Sequence, residues 1–294
     1  MSLVTVEYEP VGCQARYENT LHRWADKMRL TRFPLLRACI GEFFGTMVMI
    51  IFGVGVVAQG NFTENHSFFS ISFGWGTAVI FGLFISGNMG YGLMNPAMSL
   101  AFAIVGKVPW IPIFPLMLCQ VFGAYIGALV VYGIYEQNIK VLYNGVLNME
   151  SGVIFVTGPT VGNWPALMDQ IIGTAILAAL CLAFGDQNNF KVPAFLSPIY
   201  VGFLVLSLVG ALGVNAGAAL NPARDFGPRL ALVTVGYGKE AFTHENYYFW
   251  IPIVGPFLGA IIGAIMYELT IGIHLRGVAE EQRLDAEKYD YDDE

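Results

Sequence analysis

The stretch LGVNAGAALNPARDFGPRL, Leu212 to Leu230, decides how the rest of the chain is read. At its centre, in Asn221-Pro222-Ala223-Arg224-Asp225, an asparagine stands where a helix N-cap belongs and a proline follows at the first helical position, where its missing N–H costs nothing. The glycine- and alanine-rich run before it predicts extended backbone. The run after it, Ala223 to Val233, predicts a helix too short to cross ~30 Å of hydrocarbon. The same triplet recurs at Asn95-Pro96-Ala97, followed by a short apolar run from Met98 to Val105. Two matched half-helices are therefore predicted.

Composition sets the medium in which they sit. The chain has 294 residues, a mean hydropathy of +0.58 and only 13% charged residues, whereas soluble domains carry about 25%. This is the composition of a membrane protein. Cys13, Cys39, Cys119 and Cys181 are scattered, with neither a disulfide framework nor a zinc spacing, and read as packing residues. The net charge of −7 is concentrated at one end: residues 280–294 hold eight carboxylates against Arg283 and Lys288. That tail reads as solvated and disordered.

Arg16, Arg23, Lys27, Arg29, Arg32 and Arg37 crowd the approach to the first apolar run, and basic residues beside a span stay in the cytoplasm. Residues 1–35 lack an apolar leader and are expected inside. Spans are expected at Leu36–Ala58, Phe68–Gly87, Ile111–Tyr135, Leu167–Phe184, Ala194–Leu212 and Tyr248–Ile271. The half-helices at 96–106 and 223–233 enter and leave on one side. Residues 136–166 read as a long outer loop. Eleven of the fifteen basic residues then fall on the cytoplasmic side, and six spans place both termini there. The sequons at Asn61 and Asn65 fall on the outer side, where glycosylation is possible.

Glu42-Phe43-Phe44-Gly45-Thr46 matches Gln170-Ile171-Ile172-Gly173-Thr174 at a separation of 128, and the two triplets are 126 apart. Three spans, an odd number, separate the copies, so the halves are inverted and their functional site is expected at the midplane. Gly123/Gly127 and Gly255/Gly259/Gly263 form small-residue ridges for close packing in lipid.

With both triplets in opposed halves, residues 36–271 resemble the major intrinsic proteins, the aquaporin family. Within it, Asp225 directly after Asn-Pro-Ala-Arg, Arg229 in Asp-Phe-Gly-Pro-Arg, and Pro252-Ile253 resemble the glycerol-conducting branch. The resemblance implies an all-α membrane protein of six transmembrane helices plus two re-entrant half-helices. It also implies a homotetramer and a passive pore for water and glycerol, with urea and other small neutral solutes admitted and ions and protons excluded. The channel unit would be 36–271, with inverted halves of about 36–135 and 167–271, followed by an acidic tail at 272–294. No enzyme, cofactor, metal or nucleic-acid partner is expected; the partners are water, glycerol and lipid, in the plasma membrane.

The pore-lining residues follow in two ways. Non-helical backbone at membrane depth is tolerated where it lines a cavity, so Tyr91, Gly92, Leu93 and Met94, with Gly217, Ala219 and Leu220, are expected to offer carbonyls to passing hydroxyls. Asn95 and Asn221 can cap with their oxygens and donate with their amides. By resemblance, Trp75, Ala218 and Arg224 form the outer constriction. Trp75 would turn an apolar face toward a carbon backbone and Arg224 would donate to hydroxyls opposite. An interfacial Trp75 and an Arg224–Asp225 ion pair are the plainer alternatives. Glu42, with Gln170 as its repeat partner, is expected to brace the re-entrant loops. A proton relay at Glu42 is the competing role, weakened because Gln170 cannot titrate. Family members commonly read Ser-Gly-Ala-His-Leu before the first triplet; here Gly90-Tyr91-Gly92-Leu93-Met94 lacks the histidine. A coupled transporter remains a competing class, but beyond Glu42 and Asp169 the spans offer no carboxylates for an ion site.

Overall fold

The computed structural model describes residues 12–63 and 67–292, so Asn65 lies outside the described residues. The order is α1 (Cys13–Met28), α2 (Pro34–Phe62), α3 (Phe68–Ser86), α4 (Pro96–Ile104), α5 (Ile113–Leu142), α6 (Met149–Gly152), α7 (Asn163–Gly185), α8 (Ser197–Ala216), α9 (Pro222–Leu232), α10 (Glu240–Tyr247), α11 (Ile251–Tyr267) and α12 (Ile273–Asp292). Among the described residues six stretches are long and apolar enough to cross a membrane: Pro34–Phe62, Phe68–Ser86, Ile113–Leu142, Asn163–Gly185, Ala194–Ala216 and Glu240–Glu281. At 9 and 11 residues, α4 and α9 are too short to do so.

Local chemistry explains the starts. Asn95 and Asn221 sit in extended backbone as N-caps, each ahead of a proline. Ser67 and Ser70 cap each other's backbone N–H at the start of α3.

The halves pack in matching ways: α2 lies against α5 and α3, while α7 lies against α11 and α8. Each half-helix crosses to the other half, α4 against α11 and α9 against α5, and α3 meets α8. The glycine ridges permit this. A Cβ on Gly123 would land on the Phe43 carbonyl oxygen, and on Gly259 or Gly263 it would strike the backbone of Ile171 or Ala175.

Four expectations change. α8 runs to Ala216 rather than Leu212. The backbone before each half-helix is not extended: Gly92, Met94, Gly217, Ala218 and Leu220 all have φ between +43° and +70°. Left-handed residues, not a strand, lead the chain into each half-helix tip. The outer segment 136–166 is also more than a loop, because α5 extends into it, α6 lies within it and α7 begins at Asn163. Finally, the tail is helical over Ile273–Asp292 instead of disordered, since it continues the turns that follow α11 and needs no new helix nucleus. Asn61 is in the last turn of α2, its amide donating to the Val57 carbonyl at 2.9 Å.

Candidate functional site: a pore between the half-helix tips

The two half-helix tips hold each other. Asn95 Oδ1 accepts from Ala97 N at 3.0 Å, and Asn221 Oδ1 accepts from Ala223 N at 3.0 Å and Arg224 N at 3.3 Å. Each amide then reaches the opposite loop: Asn95 Nδ2 donates to the Leu220 carbonyl at 2.9 Å and Asn221 Nδ2 to the Met94 carbonyl at 2.8 Å. Each NH₂ has two hydrogens, so one remains for a passing oxygen.

Met94 and Leu220, the residues immediately before the asparagines, are in left-handed backbone, which costs an L-residue roughly 1–2 kcal/mol. Such strain persists only where surrounding bonds over-determine it. Glu42 supplies them in the first half, accepting from Leu93 N at 2.8 Å and Met94 N at 2.6 Å. In the second half Gln170 Oε1 accepts from Leu220 N at 3.0 Å and its amide donates to Ala216 O at 3.3 Å. The pair that matched in the repeat thus occupies equivalent places. Gln120, which sequence reading missed, completes the first brace by donating to Glu42 Oε2 at 2.8 Å and Ser99 Oγ at 3.0 Å. With all three donors facing the Glu42 carboxylate, the arrangement is that of a fixed acceptor.

A cavity of about 360 Å³ runs past these tips. Trp75, Ala218 and Arg224 all line it, as do Asn95, Asn221, Tyr91, Gly92, Leu93, Met94, Gly217, Ala219 and Leu220. Trp75 is therefore a cavity residue, 7% exposed and seated where Gly53 leaves room for its ring, rather than an interfacial one. The Arg224 guanidinium lies 4.3 Å from the centre of the Trp75 ring, so the two touch and form one continuous surface instead of facing each other across an opening. Arg224 Nη1 donates to the Phe155 carbonyl at 3.2 Å.

Asp225 does not pair with Arg224. Its Oδ1 accepts from Arg229 Nε at 2.5 Å, and its Oδ2 accepts from Thr157 N at 2.8 Å and Thr157 Oγ1 at 2.6 Å. Four residues along one helix face separate Asp225 from Arg229, which brings them together; Arg224, one residue away, points elsewhere. The remaining Arg229 donors reach the Ala241 carbonyl at 2.6 Å and the Thr157 carbonyl at 3.0 Å. Phe155 and Thr157 come from the segment read as a loop, and only their backbone groups carry the contact to the arginines, so no side-chain pattern advertised them. Among the described residues no group of three or more His, Cys, Asp or Glu is placed to hold a metal ion.

Comparison with known proteins agrees with this geometry. The chain is 36% identical over 262 residues to aquaporin-9 of Mus musculus, covering 84% of this chain and 88% of that one. It is 35% identical over 253 residues to aquaporin-10 of Homo sapiens, covering 83% of each. The X-ray structure of the aquaglyceroporin from Plasmodium falciparum superposes with a TM-score of 0.75 at 29% identity, covering 82% of this chain and 99% of that one. The sequence model described as Major intrinsic protein matches residues 29–267, and with its inverted halves and paired half-helix tips the chain belongs to the major intrinsic protein family, as an integral membrane protein.

Proposed function

We propose that the protein is a passive channel for glycerol and water, that urea and other small neutral solutes also pass, and that ions and protons are excluded. The observation that carries this reading is the cavity on which Trp75, Ala218 and Arg224 converge beside the paired asparagines. A polyol has a carbon edge and a hydroxyl edge. The Trp75 indole suits the first, while the unspent donors of Arg224 and the carbonyls of 91–94 and 217–220 suit the second. Ala218 contributes almost no bulk to the opening, which favours a solute wider than water. Each half-helix adds about half a positive charge at its N-terminus, and with the Arg224 guanidinium this disfavours cations and protons at the tips.

In this reading Glu42 and Gln170 are braces. Asp225, the residue by which the chain resembles the glycerol branch, holds Arg229 and the outer segment in place beside Arg224. The protein works as a homotetramer in the plasma membrane with both termini cytoplasmic; the basic approach to α2 and the opposed sequons support that orientation. No cofactor takes part.

The test is stopped-flow light scattering of proteoliposomes under a sucrose and then a glycerol gradient, alongside Ala218→Phe. Fast shrinkage in sucrose and fast re-swelling in glycerol are expected, with the glycerol phase slowed at least tenfold by the phenylalanine, a loss of about 1.4 kcal/mol. Fast water flow without glycerol flow in the parent protein would replace this reading with a water-selective channel.

A further inference from the structure

The pore accounts for α2 to α11 and leaves α1 without a task. This helix of 16 residues buries no side chain. At 3.6 residues per turn, Cys13, Tyr17, Leu21, Trp24 and Met28 fall on one face. Tyr17 is 65% exposed, Leu21 48%, Trp24 67% and Met28 74%, so none of the described residues covers that stripe. Arg16, Arg23 and Lys27 run along one flank of it. Glu18 and Asp26 lie on the other flank and the back, and Asp26 is paired with Arg29 at 2.9 Å.

We infer that α1 is an interfacial helix that lies on the membrane surface beside α2, its apolar stripe among the upper acyl chains and its basic flank against anionic phospholipid headgroups. Three observations choose lipid as the occupant. The first is reach: residues 29–33 alone separate α1 from the start of the first span, and five residues extend to no more than ~18 Å, so the C-terminal end of α1 is held close to the start of α2. The second is residue type, since Trp24 and Tyr17 have the amphipathic rings that collect at the headgroup level. The third is charge. Lysine and arginine stems beside an apolar stripe let their heads reach the phosphates, and past the Arg29–Asp26 pair Arg32 and Arg37 continue the basic strip to the span.

The test uses the full chain in vesicles of brominated phosphatidylcholine, with and without one quarter phosphatidylglycerol in both leaflets, so that protein orientation does not matter. Trp24 is isolated as the difference between the parent protein and Trp24→Phe. We expect Trp24 to be blue-shifted and quenched by the brominated chains, more strongly in the anionic vesicles. Replacing Arg16, Arg23 and Lys27 by Gln should sharply reduce the anionic gain, each lost charge weakening the docked state about fivefold. Water flow should be unchanged, because none of these residues lines the pore, and that flow certifies folding. A water-exposed, unquenched Trp24 in both vesicles overturns the inference. So does a blue-shifted Trp24 that brominated lipid cannot reach, which assigns the stripe to a second copy or to the pore mouth. Equal quenching with and without anionic lipid overturns the role given to charge.

Discussion

At the scale of single residues, the site depends on a few buried polar groups with complete sets of partners. Glu42 is 1% exposed and faces three donors. In Glu42→Gln one acceptor becomes an NH₂ aimed at a backbone N–H or at Gln120, so a loss of roughly 1–3 kcal/mol in thermal unfolding in detergent is expected. Because Gln170 performs the equivalent task uncharged, the brace needs no titration. Water flow through folded Glu42→Gln protein should therefore show the same pH profile as the parent, and a changed profile would revive the proton relay. Asp225 is the counter-charge of a fully buried arginine. Asp225→Asn leaves Arg229 uncompensated, and a loss of about 3–5 kcal/mol is expected, read as lost monodisperse protein at the parent's purification temperature.

At the scale of elements, the spans are held by close backbone approach more than by side-chain bulk. Gly259 on α11 faces the Ile171 carbonyl of α7, and Gly127 on α5 faces the Met47 carbonyl of α2. Backbone cannot yield as a flexible side chain can, so Gly259→Leu should separate α11 from α7. The expected outcome is a loss of at least ~1–3 kcal/mol, whereas Gly133→Leu, on α5 with open space around it, should be tolerated. Comparing their unfolding midpoints checks this. The half-helices were readable because their signal is local, an Asn cap followed by Pro, while the left-handed residues before them were not. Met94, Ala218 and Leu220 are ordinary helix formers, and they hold positive φ only because bonds from other elements or the neighbouring glycine turn impose it.

For the whole molecule, one connection closes the end opposite the outer segment. Asp186, just past α7, accepts from Asn188 N at 2.9 Å and from the Tyr267 hydroxyl at 2.9 Å, and Lys107 beyond α4 adds its charge. Burial pushes the Asp186 carboxyl up, but those two bonds, the Lys107 charge and the Asn188 amide outweigh it and hold it below the ordinary carboxylate value. A lowered folded pKa means stability that is full above the unfolded value near ~3.9 and is lost as pH falls through the folded one. Thermal midpoints should thus hold down to about pH 5 and fall below about pH 4, and Asp186→Asn should lower the neutral-pH midpoint and flatten that acid limb.

Whatever rests on local chemistry or on self-comparison was legible in the chain alone: a membrane medium from composition, spans from apolar length, half-helix starts from Asn-Pro, and inversion from an odd number of spans between repeats. Even Glu42 and Gln170 were visible, because the repeat aligned them. Contacts whose partners lie far apart in the chain or belong to the backbone had to wait for the fold. The Arg224 stack on Trp75, the choice of Arg229 over Arg224 by Asp225, the crossed asparagine amides, and the carbonyls of Phe155 and Thr157 are of this kind. The reason is physical. A backbone carbonyl is the same group in every residue, so its place in the sequence carries no mark of what it will meet, and the fold alone brings it to a buried donor.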